Sequence, residues 1–479
     1  MSKFLSLALL LVAGMGLFAA PAMAQANEAD NVGAVHGGGG EGAADTTLGS
    51  KGLVWSTDGF SVRMTTRVQF RLTYQNEVGH GAHGQNGRDF INFRVRRAKT
   101  SFSGHIFQKE FQYKLVLNWM DGGDAIVEEG YFRWTVMQYI NIQAGQYKPA
   151  WNWEELTSSG AQQFVDRSYV NEVFNQDKAK GIQIDGKIGE DVSWLKYSLG
   201  LFNGVLKSNH DFRNADVKRI SDTFSDGIVD GDMMLNLRLE THPLGDIKHS
   251  LNDGRGEDEF DQVLFAIGLA VNYLIAGFDN EAIRPDNSGL GATGSGRSRT
   301  SSDTWAFTID GHFRWHGLSL DVAFFWRHTE FHNRGANRYS PTSPTHNGIA
   351  NNTDMGFTVD VSYFIIAKTL NVGLRYNRLE ADEHWQNGGT SRNAALRPDA
   401  TEIGISVNYY LHGDNLKLTL DILYVSEQLA FGLDAAGTGA QSLSGVYTSP
   451  PQRSANSVAG ENADYADTWI IRLQLQWIF

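Results

Sequence analysis

A strict two-residue alternation over residues 60–75 constrains the fold of this chain more than any other feature. The even positions are apolar or aromatic with one exception, and every odd position is polar. Because successive side chains of a strand point to opposite faces, the segment predicts a strand with one apolar face and one face bearing Arg63, Arg67 and Arg71. It is longer than the roughly 5–6 residues of a soluble strand and suits a tilted, membrane-spanning strand.

A soluble β-sandwich is the alternative interpretation of such a strand. It would require a second sheet to cover the apolar face, and no later segment supplies one independently. The chain instead closes on the same pattern, since residues 468–479 alternate and end on Phe479. This ending is similar to the last strand of bacterial outer-membrane barrels, whose terminal aromatic residue is read by the assembly machinery. Phe479 is therefore expected to be an assembly signal.

Composition excludes several classes of protein. The mean hydropathy is −0.32, and no run of about 18 apolar residues follows the leader, which argues against a transmembrane helix. Alternating strands hide their apolar face from such averages, so a membrane-spanning barrel remains open. A net charge of −13 argues against general nucleic-acid binding. The absence of cysteine fits an oxidising compartment.

The N-terminal region predicts export. Residues 1–24 combine Lys3, an apolar run and an Ala22-Met23-Ala24 cleavage site, as in a secretory signal peptide. Residues 25–52 are rich in Gly and Ala and predict a flexible periplasmic arm. Residues 53–479 are then the predicted barrel domain, and the predicted location is the bacterial outer membrane.

Strand-like segments recur from residue 60 to the end of the chain, and sixteen of them can be counted. Short and long connections alternate, which is typical of an outer-membrane barrel with short periplasmic turns and long outer loops. The predicted fold is therefore all-β, a transmembrane antiparallel β-barrel of about 16 strands. One connection, residues 241–261, is long and acidic where a short turn is expected, and could mark a miscounted pair. The alternation changes phase at Arg96-Arg97, which predicts a β-bulge.

The polar faces of the first four strands carry mostly basic residues. A barrel of this size has a water-filled lumen, and a basic wall there would attract anions, with arginine matching phosphate geometry. The opposing interpretation is that lumenal carboxylates neutralise these residues in a porin without anion preference; Glu129 is the clear acidic residue on these faces. The predicted pore-lining, anion-binding residues are Arg63, Arg67, Arg71, Arg94, Arg96, Lys99, Lys114 and Arg133.

The third outer connection, residues 148–180, is too long for a tight hairpin and carries its own apolar side chains. Such a loop usually packs against something, and inside a wide barrel it could fold inward and narrow the pore. Its carboxylates would then face the basic wall. The predicted constriction residues are Trp151, Trp153, Glu154, Glu155, Asp166 and Arg167.

No catalytic sequence motif stands out, so neither an enzyme nor a cofactor is predicted. His80 and His83 lie in a Gly-rich loop without supporting carboxylates or cysteines, which favours solvated residues over a metal site. A lumenal hydrolase and a structural or adhesive barrel are the alternatives from other functional classes.

Residues 93–119 and 145–170 resemble the phosphate-selective porin O and P family, notably in Glu155-Leu156-Thr157-Ser158-Ser159 and Asp166-Arg167-Ser168. The chain departs from the family pattern at Pro149-Ala150-Trp151-Asn152-Trp153-Glu154. The resemblance implies a sixteen-stranded, trimeric outer-membrane porin with its third loop in the lumen.

The predicted function is passive diffusion of small anions, with phosphate or polyphosphate as the solute; a general diffusion porin is the alternative. The expected partners are small anionic solutes, outer-membrane lipid and lipopolysaccharide, the barrel assembly machinery and two further copies of the chain. No nucleic-acid partner is expected.

Overall fold

The computed structural model describes residues 45–49, 52–79, 89–120, 127–137, 139–175, 178–189, 193–203, 233–254, 260–275, 300–333, 352–380, 399–429 and 465–479. The predicted signal peptide and most of the predicted arm lie outside the described residues, as do His80 and His83. Within the described residues, no helix is long and apolar enough to cross a membrane.

Strands dominate the described part of the chain. In order they are β1 (Asp45–Gly49), β2 (Gly52–Thr57), β3 (Phe60–Gly79), β4 (Asp89–Ile106), β5 (Gln108–Asn118), β6 (Val127–Met137), β7 (Ile140–Tyr147), β8 (Ala179–Ile188), β9 (Leu195–Asn203), β10 (Met233–Thr241), β11 (Leu264–Ile275), β12 (Thr300–Trp315), β13 (Leu318–Asn333), β14 (Asn352–Ile366), β15 (Leu370–Glu380), β16 (Ala400–His412), β17 (Leu416–Leu429) and β18 (Tyr465–Ile478). Two short helices, α1 (Trp153–Leu156) and α2 (Tyr169–Phe174), lie between β7 and β8.

Strands β3 to β18 form a closed ring. Each pairs antiparallel with the next along the chain, and β18 pairs with β3. Closure leaves every strand of the ring with two neighbours, which lipid requires of a β-structure. The predicted sixteen-stranded antiparallel barrel is confirmed, and β1 and β2 are additional to it.

The hairpin of β1 and β2 completes the seam where the ring closes. Strand β18 covers β3 only from Arg67 onward, and β2 covers the remaining edge, with Leu53 opposite Met64. Between them, Thr66 and Phe479 exchange two backbone hydrogen bonds of 2.7 and 2.9 Å. Strand β1 falls within residues 25–52, where the sequence predicts a flexible arm.

The two faces of the wall differ as the alternation predicts. Large apolar side chains such as Phe93 and Phe132 point outward and are 64% and 63% exposed. Arg71, Asp421 and Arg472 belong to the inner face and are almost completely buried. Since water would be expected to reach the lumen of an empty barrel of this size, something must fill that part of it.

Two bulges bring pairs of consecutive charged residues into the lumen. Gln69 pairs with Arg97 and Phe70 with Val95, so Arg96 is the extra residue, which confirms the predicted bulge. A second bulge skips Glu128, because Val116 pairs with Glu129 and Leu117 with Val127. At each bulge, two adjacent side chains can face the same side of the wall.

The connections keep the predicted alternation of short and long. The connection of residues 242–263 lies at the short-turn end of the barrel, and β10 and β11 pair along their length. The strand count is therefore correct here, and the long turn belongs to a regular hairpin.

Candidate functional site: the pore constriction

Residues 148–178 join β7 to β8, and we call them the constriction loop. The loop is bonded to inner-face side chains of strands far apart around the ring, including Arg71 on β3, Arg238 on β10 and Arg375 on β15. A segment that reaches all of these must cross the interior of the barrel. The loop therefore occupies the lumen, and its own side chains account for the buried inner face.

Local hydrogen bonds give the loop a shape of its own. Asn152 caps α1 by accepting from the backbone N–H of Glu155 at 2.8 Å, and Ser168 caps α2 by accepting from Asn171 at 3.0 Å. The carboxylate of Glu154 joins the two helices, since it accepts from the N–H and the hydroxyl of Ser168 at 2.7 and 2.6 Å.

Arg167 and Glu155, both predicted constriction residues, act within the loop. The Arg167 guanidinium donates to the backbone carbonyls of Glu154 and Thr157 at 3.0 Å each, and its Nε lies 3.3 Å from the Glu155 carboxylate. Glu155 also lies 3.1 Å from the Lys148 Nζ. These contacts tie the two arms of the loop together.

Apolar packing attaches one side of the loop to the wall formed by β11 to β16. Trp151, Val170 and Phe174 are fully buried and pack against the inner-face side chains Ala270, Ala306, Phe325, Leu379 and Ala400. Gly356 makes room for this contact, because a Cβ there would lie 2.5 Å from Val170 and 2.8 Å from Phe174. Small inner-face residues such as Ala270, Ala306 and Gly356 thus leave room for the loop to pack against the wall.

Asp166 is the electrostatic centre of the site. Arg71 clasps its carboxylate in two hydrogen bonds of 2.7 and 2.9 Å, and Arg472 donates a third at 2.9 Å. Arg97 and Arg96 approach the same carboxylate to 3.6 and 3.9 Å. Four guanidinium groups from three strands therefore converge on one carboxylate of the loop.

The surrounding arginines fix the charge state of Asp166. Burial by itself would raise the pKa of this carboxyl group, but the nearby charges of Arg71 and Arg472 outweigh burial and hold the pKa well below its usual value. Asp166 is consequently ionised throughout the physiological range.

Arg67 has a different environment. Its guanidinium donates to the hydroxyls of Ser159 and Ser158 at 2.8 and 2.9 Å, and it forms no ion pair within 4 Å in the described ranges. Gly160 packs closely against this guanidinium, and a Cβ at that position would lie only 2.9 Å from the Arg67 Cζ. The buried Nε groups of Arg67 and Arg96, like that of Arg71, have no hydrogen-bond partner among the described residues.

The opposite wall, from β4 to β8, carries the other predicted basic residues, and here they are paired. Lys99 contacts Glu128, Lys114 lies 2.9 Å from Glu129, and Arg133 forms two hydrogen bonds with Asp185 of 2.8 and 2.5 Å. More carboxylates face the lumen here than alternation alone predicts, because the bulge at Glu128 adds an acidic side chain.

The remaining two predicted basic residues, Arg63 and Arg94, differ in their positions. Arg63 is exposed near the short-turn end of β3, and Arg94 lies directly opposite Arg71 on the neighbouring strand. The structure brings Arg71, Arg94, Arg96 and Arg67 together on one side, and separates them from Arg63 at the rim.

The sequence analysis did not assign a charged network on the wall beneath the loop. Arg238 is bonded to Asp310 and Glu240, Arg375 to Asp360, and Arg472 to Asp421. Arg375 also donates to the Glu154 carboxylate and the Asp166 carbonyl of the loop, at 3.1 Å each. The alternation of these strands places the charged residues on the inner face. It does not reveal which of those positions the loop covers.

Residues 64–243 match the family model described as phosphate-selective porin O and P. No curated protein matches the chain.

Among solved structures, the chain is similar to OmpT of Vibrio cholerae, with 11% identity and a TM-score of 0.45 over 88% of this chain and 99% of that chain. An anion-selective porin from Comamonas acidovorans matches with 10% identity and a TM-score of 0.48, over 88% of this chain and 100% of that chain. The outer membrane channel DcaP of Acinetobacter baumannii matches with 11% identity and a TM-score of 0.46, over 88% of this chain and 99% of that chain.

The closed ring and its apolar outer surface are those of a membrane-spanning β-barrel, and residues 64–243 are similar to a porin family.

Proposed function

We propose that this chain is an outer-membrane porin whose lumen favours the passage of small anions, phosphate among them. The observation that carries the proposal is the cluster around Asp166, which brings Arg71, Arg96, Arg97 and Arg472 to a single loop carboxylate. Arg472 is also paired with a second carboxylate, Asp421. Four arginines against two carboxylates leave the cluster with an excess of positive charge. A positive site in a narrow, water-filled passage concentrates anions.

The path for solute lies between the loop and the wall of β4 to β8. The loop packs on the other wall, while side chains on this one stay partly open to water, with Lys114 at 35%, Arg133 at 26% and Arg96 at 22% exposure. Lys114 and Arg133 are neutralised locally by carboxylates, so Arg96 and Arg67 supply the net positive charge along this path. The guanidinium group of an arginine matches the acceptor oxygens of a phosphate.

Ion selectivity tests the proposal directly. The reversal potential of the purified protein in a planar bilayer, measured across a chloride or phosphate gradient, is expected to indicate anion preference. Changing both Arg67→Glu and Arg96→Glu moves the lumen by four charge units in a region that screens charge less than bulk water does. The reversal potential should then shift toward cations, and phosphate should obstruct chloride current less.

A matched control is available at the short-turn end of the barrel. Lys109 and Lys368 are exposed there, outside the lumen, and changing both to glutamate alters the net charge by the same amount. The control is expected to leave the reversal potential near that of the unchanged protein. Equal behaviour of the two double variants would favour a general diffusion porin, and a barrel that carries no current would favour the adhesive alternative.

We propose that the porin assembles as a trimer in contact with lipid and lipopolysaccharide, and that Phe479 is read by the barrel assembly machinery. The Phe479 backbone contributes one closing pair of hydrogen bonds, and its side chain is 49% exposed, so its side chain adds little to the folded wall.

Deleting Phe479 should therefore lower the amount of barrel inserted in cells far more than it lowers the stability of purified, refolded barrel. Insertion is measured by heat-modifiable mobility of membrane fractions on gels, and Phe479→Trp serves as the matched variant that keeps an aromatic end. Normal insertion of the shortened chain would contradict the assembly role.

A further inference from the structure

The turn between β10 and β11 enters the barrel from the end opposite the outer loops. We refer to its first described part, residues 242–254, as the inner turn. The backbone carbonyl of Ser250 accepts from Arg314 on β12 at 2.6 Å, and Asn252 donates to the Tyr410 hydroxyl on β16 at 2.8 Å. Asp253 accepts from the backbone of Gly317 at 3.2 Å. The inner turn thus reaches from β10 across to β16.

The inner turn and the constriction loop meet at Trp153. The indole is 1% exposed and packs with Ile247 and Leu251 of the turn. Its Nε1 donates to the Ser250 carbonyl at 3.2 Å, the same oxygen that Arg314 holds. A single carbonyl of the turn therefore connects the loop to the barrel wall.

Histidine side chains complete the enclosure of this indole. The ring of His312, on β12, stacks on Trp153 with centroids 4.0 Å apart, and His249 of the turn meets it edge-on at 4.4 Å. His312 is itself held between Asp310 and Asp321 at 2.9 and 2.6 Å. Trp153 is thus contacted by the turn on one side and by a rigid part of the wall on another.

The descending arm of the loop is fixed just before this point. Arg238 donates to the Trp151 carbonyl at 2.6 Å, and Asn236 donates to the Ala150 carbonyl at 2.8 Å. The loop, the turn and the wall are therefore packed directly against one another around Trp153.

We propose that the inner turn is a brace for the constriction loop, with Trp153 as the positioning residue that joins them. The brace closes the β10 to β16 side of the lumen from the periplasmic end, so that solute is confined to the side of β4 to β8. The inference rests on the proposed channel function, but not on its preference for anions.

Two independent changes test the brace. Trp153→Ala removes its loop side, and the double change Ile247→Ala and Leu251→Ala removes its turn side. Each is expected to raise single-channel conductance, to admit larger neutral polyethylene glycols, and to increase current noise as the loop gains freedom. Trp153→Phe should restore most of the unchanged behaviour, because a smaller aromatic ring keeps the stacking without the Nε1 hydrogen bond.

Trp194→Ala is the matched control, since Trp194 is exposed at another turn of the same end and should leave conductance and size limit unchanged. Folding of each variant is checked by heat-modifiable mobility. The brace is refuted if both brace variants fold and keep the conductance and the polymer size limit of the unchanged protein. An unchanged protein that forms no channels would instead refute the proposed function, which separates the two failures.

Discussion

Conductance is expected to rise several-fold when the constriction loop is removed. Tyr147 and Ala179 are paired directly across β7 and β8, so residues 149–177 can be replaced by a two-residue Asn-Gly turn without straining either strand. The charged residues uncovered beneath the loop are mostly paired within the wall, for example Arg375 with Asp360 and Arg472 with Asp421. The barrel should therefore fold, and its lumen should be limited by the wall alone.

Single-channel recording in a planar bilayer gives the conductance, and neutral polyethylene glycols of increasing size give the width of the passage. The matched control deletes residues 335–349 from the connection between β13 and β14, which the alternation of short and long connections predicts to be an outer loop. That deletion is expected to change conductance little. A loop-free barrel with the conductance of the full chain would mean that the loop does not narrow the pore.

The second large effect is expected from Asp166→Asn. The substitution keeps the shape of the side chain but removes the charge that Arg71, Arg472, Arg97 and Arg96 share. Leaving buried guanidinium groups without a counter-charge costs roughly 3–5 kcal/mol. We expect the loop to be held less firmly to β3 and β18, which should appear as higher and more variable conductance together with a stronger preference for anions.

Asp185→Asn is the matched control for this change. Asp185 also forms a two-point bond with an arginine, Arg133, but both residues belong to the wall, and neither is bonded to a described residue of the loop. Its expected effect is a modest increase in anion preference with steady conductance. If both variants behave alike, Asp166 does not anchor the loop.

The pH dependence of the anchor follows from the same geometry. The pKa of Asp166 is lowered in the folded barrel, so the stabilisation it provides is present above the pKa of the unfolded chain and is lost as pH falls through the folded value. That value lies well below the ordinary one for aspartate, so on acidification to about pH 4 the conductance of the unchanged protein should stay below that of Asp166→Asn. Equal conductance of the two proteins above that pH would contradict the lowered pKa.

Much of the fold could be predicted because alternation is a local property of a strand. The phase change at Arg96-Arg97 predicted a bulge in the right place, since two adjacent charged residues cannot both face the lumen in a regular strand. The adjacent pair Glu128-Glu129 gives the same signal in β6. It was not recognised as a bulge, and one lumenal carboxylate was missed as a result.

The contacts of the site could be predicted less well, because they depend on distant parts of the chain. Alternation places Arg71 and Arg472 on the inner face, but it does not show that Asp166 lies between them. The inner turn is a further case, since its length is visible in the sequence while its contact with Trp153 depends on the closed barrel. Sequence periodicity assigns side chains to a face, whereas the filling of the lumen follows from tertiary packing.

The seam of the barrel has a consequence for how the last strand finds its register. Leu53 of the first hairpin already lies opposite Met64 on β3, and the last residue, Phe479, is bonded to Thr66. Only Thr65 separates the two positions along β3, so β18 has no space to slide toward the short-turn end. A slip of a single residue in a strand would exchange its lipid-facing and water-facing side chains. The hairpin, formed from residues adjacent in sequence, thus limits how far β18 can extend along β3 and favours a single register for the last strand.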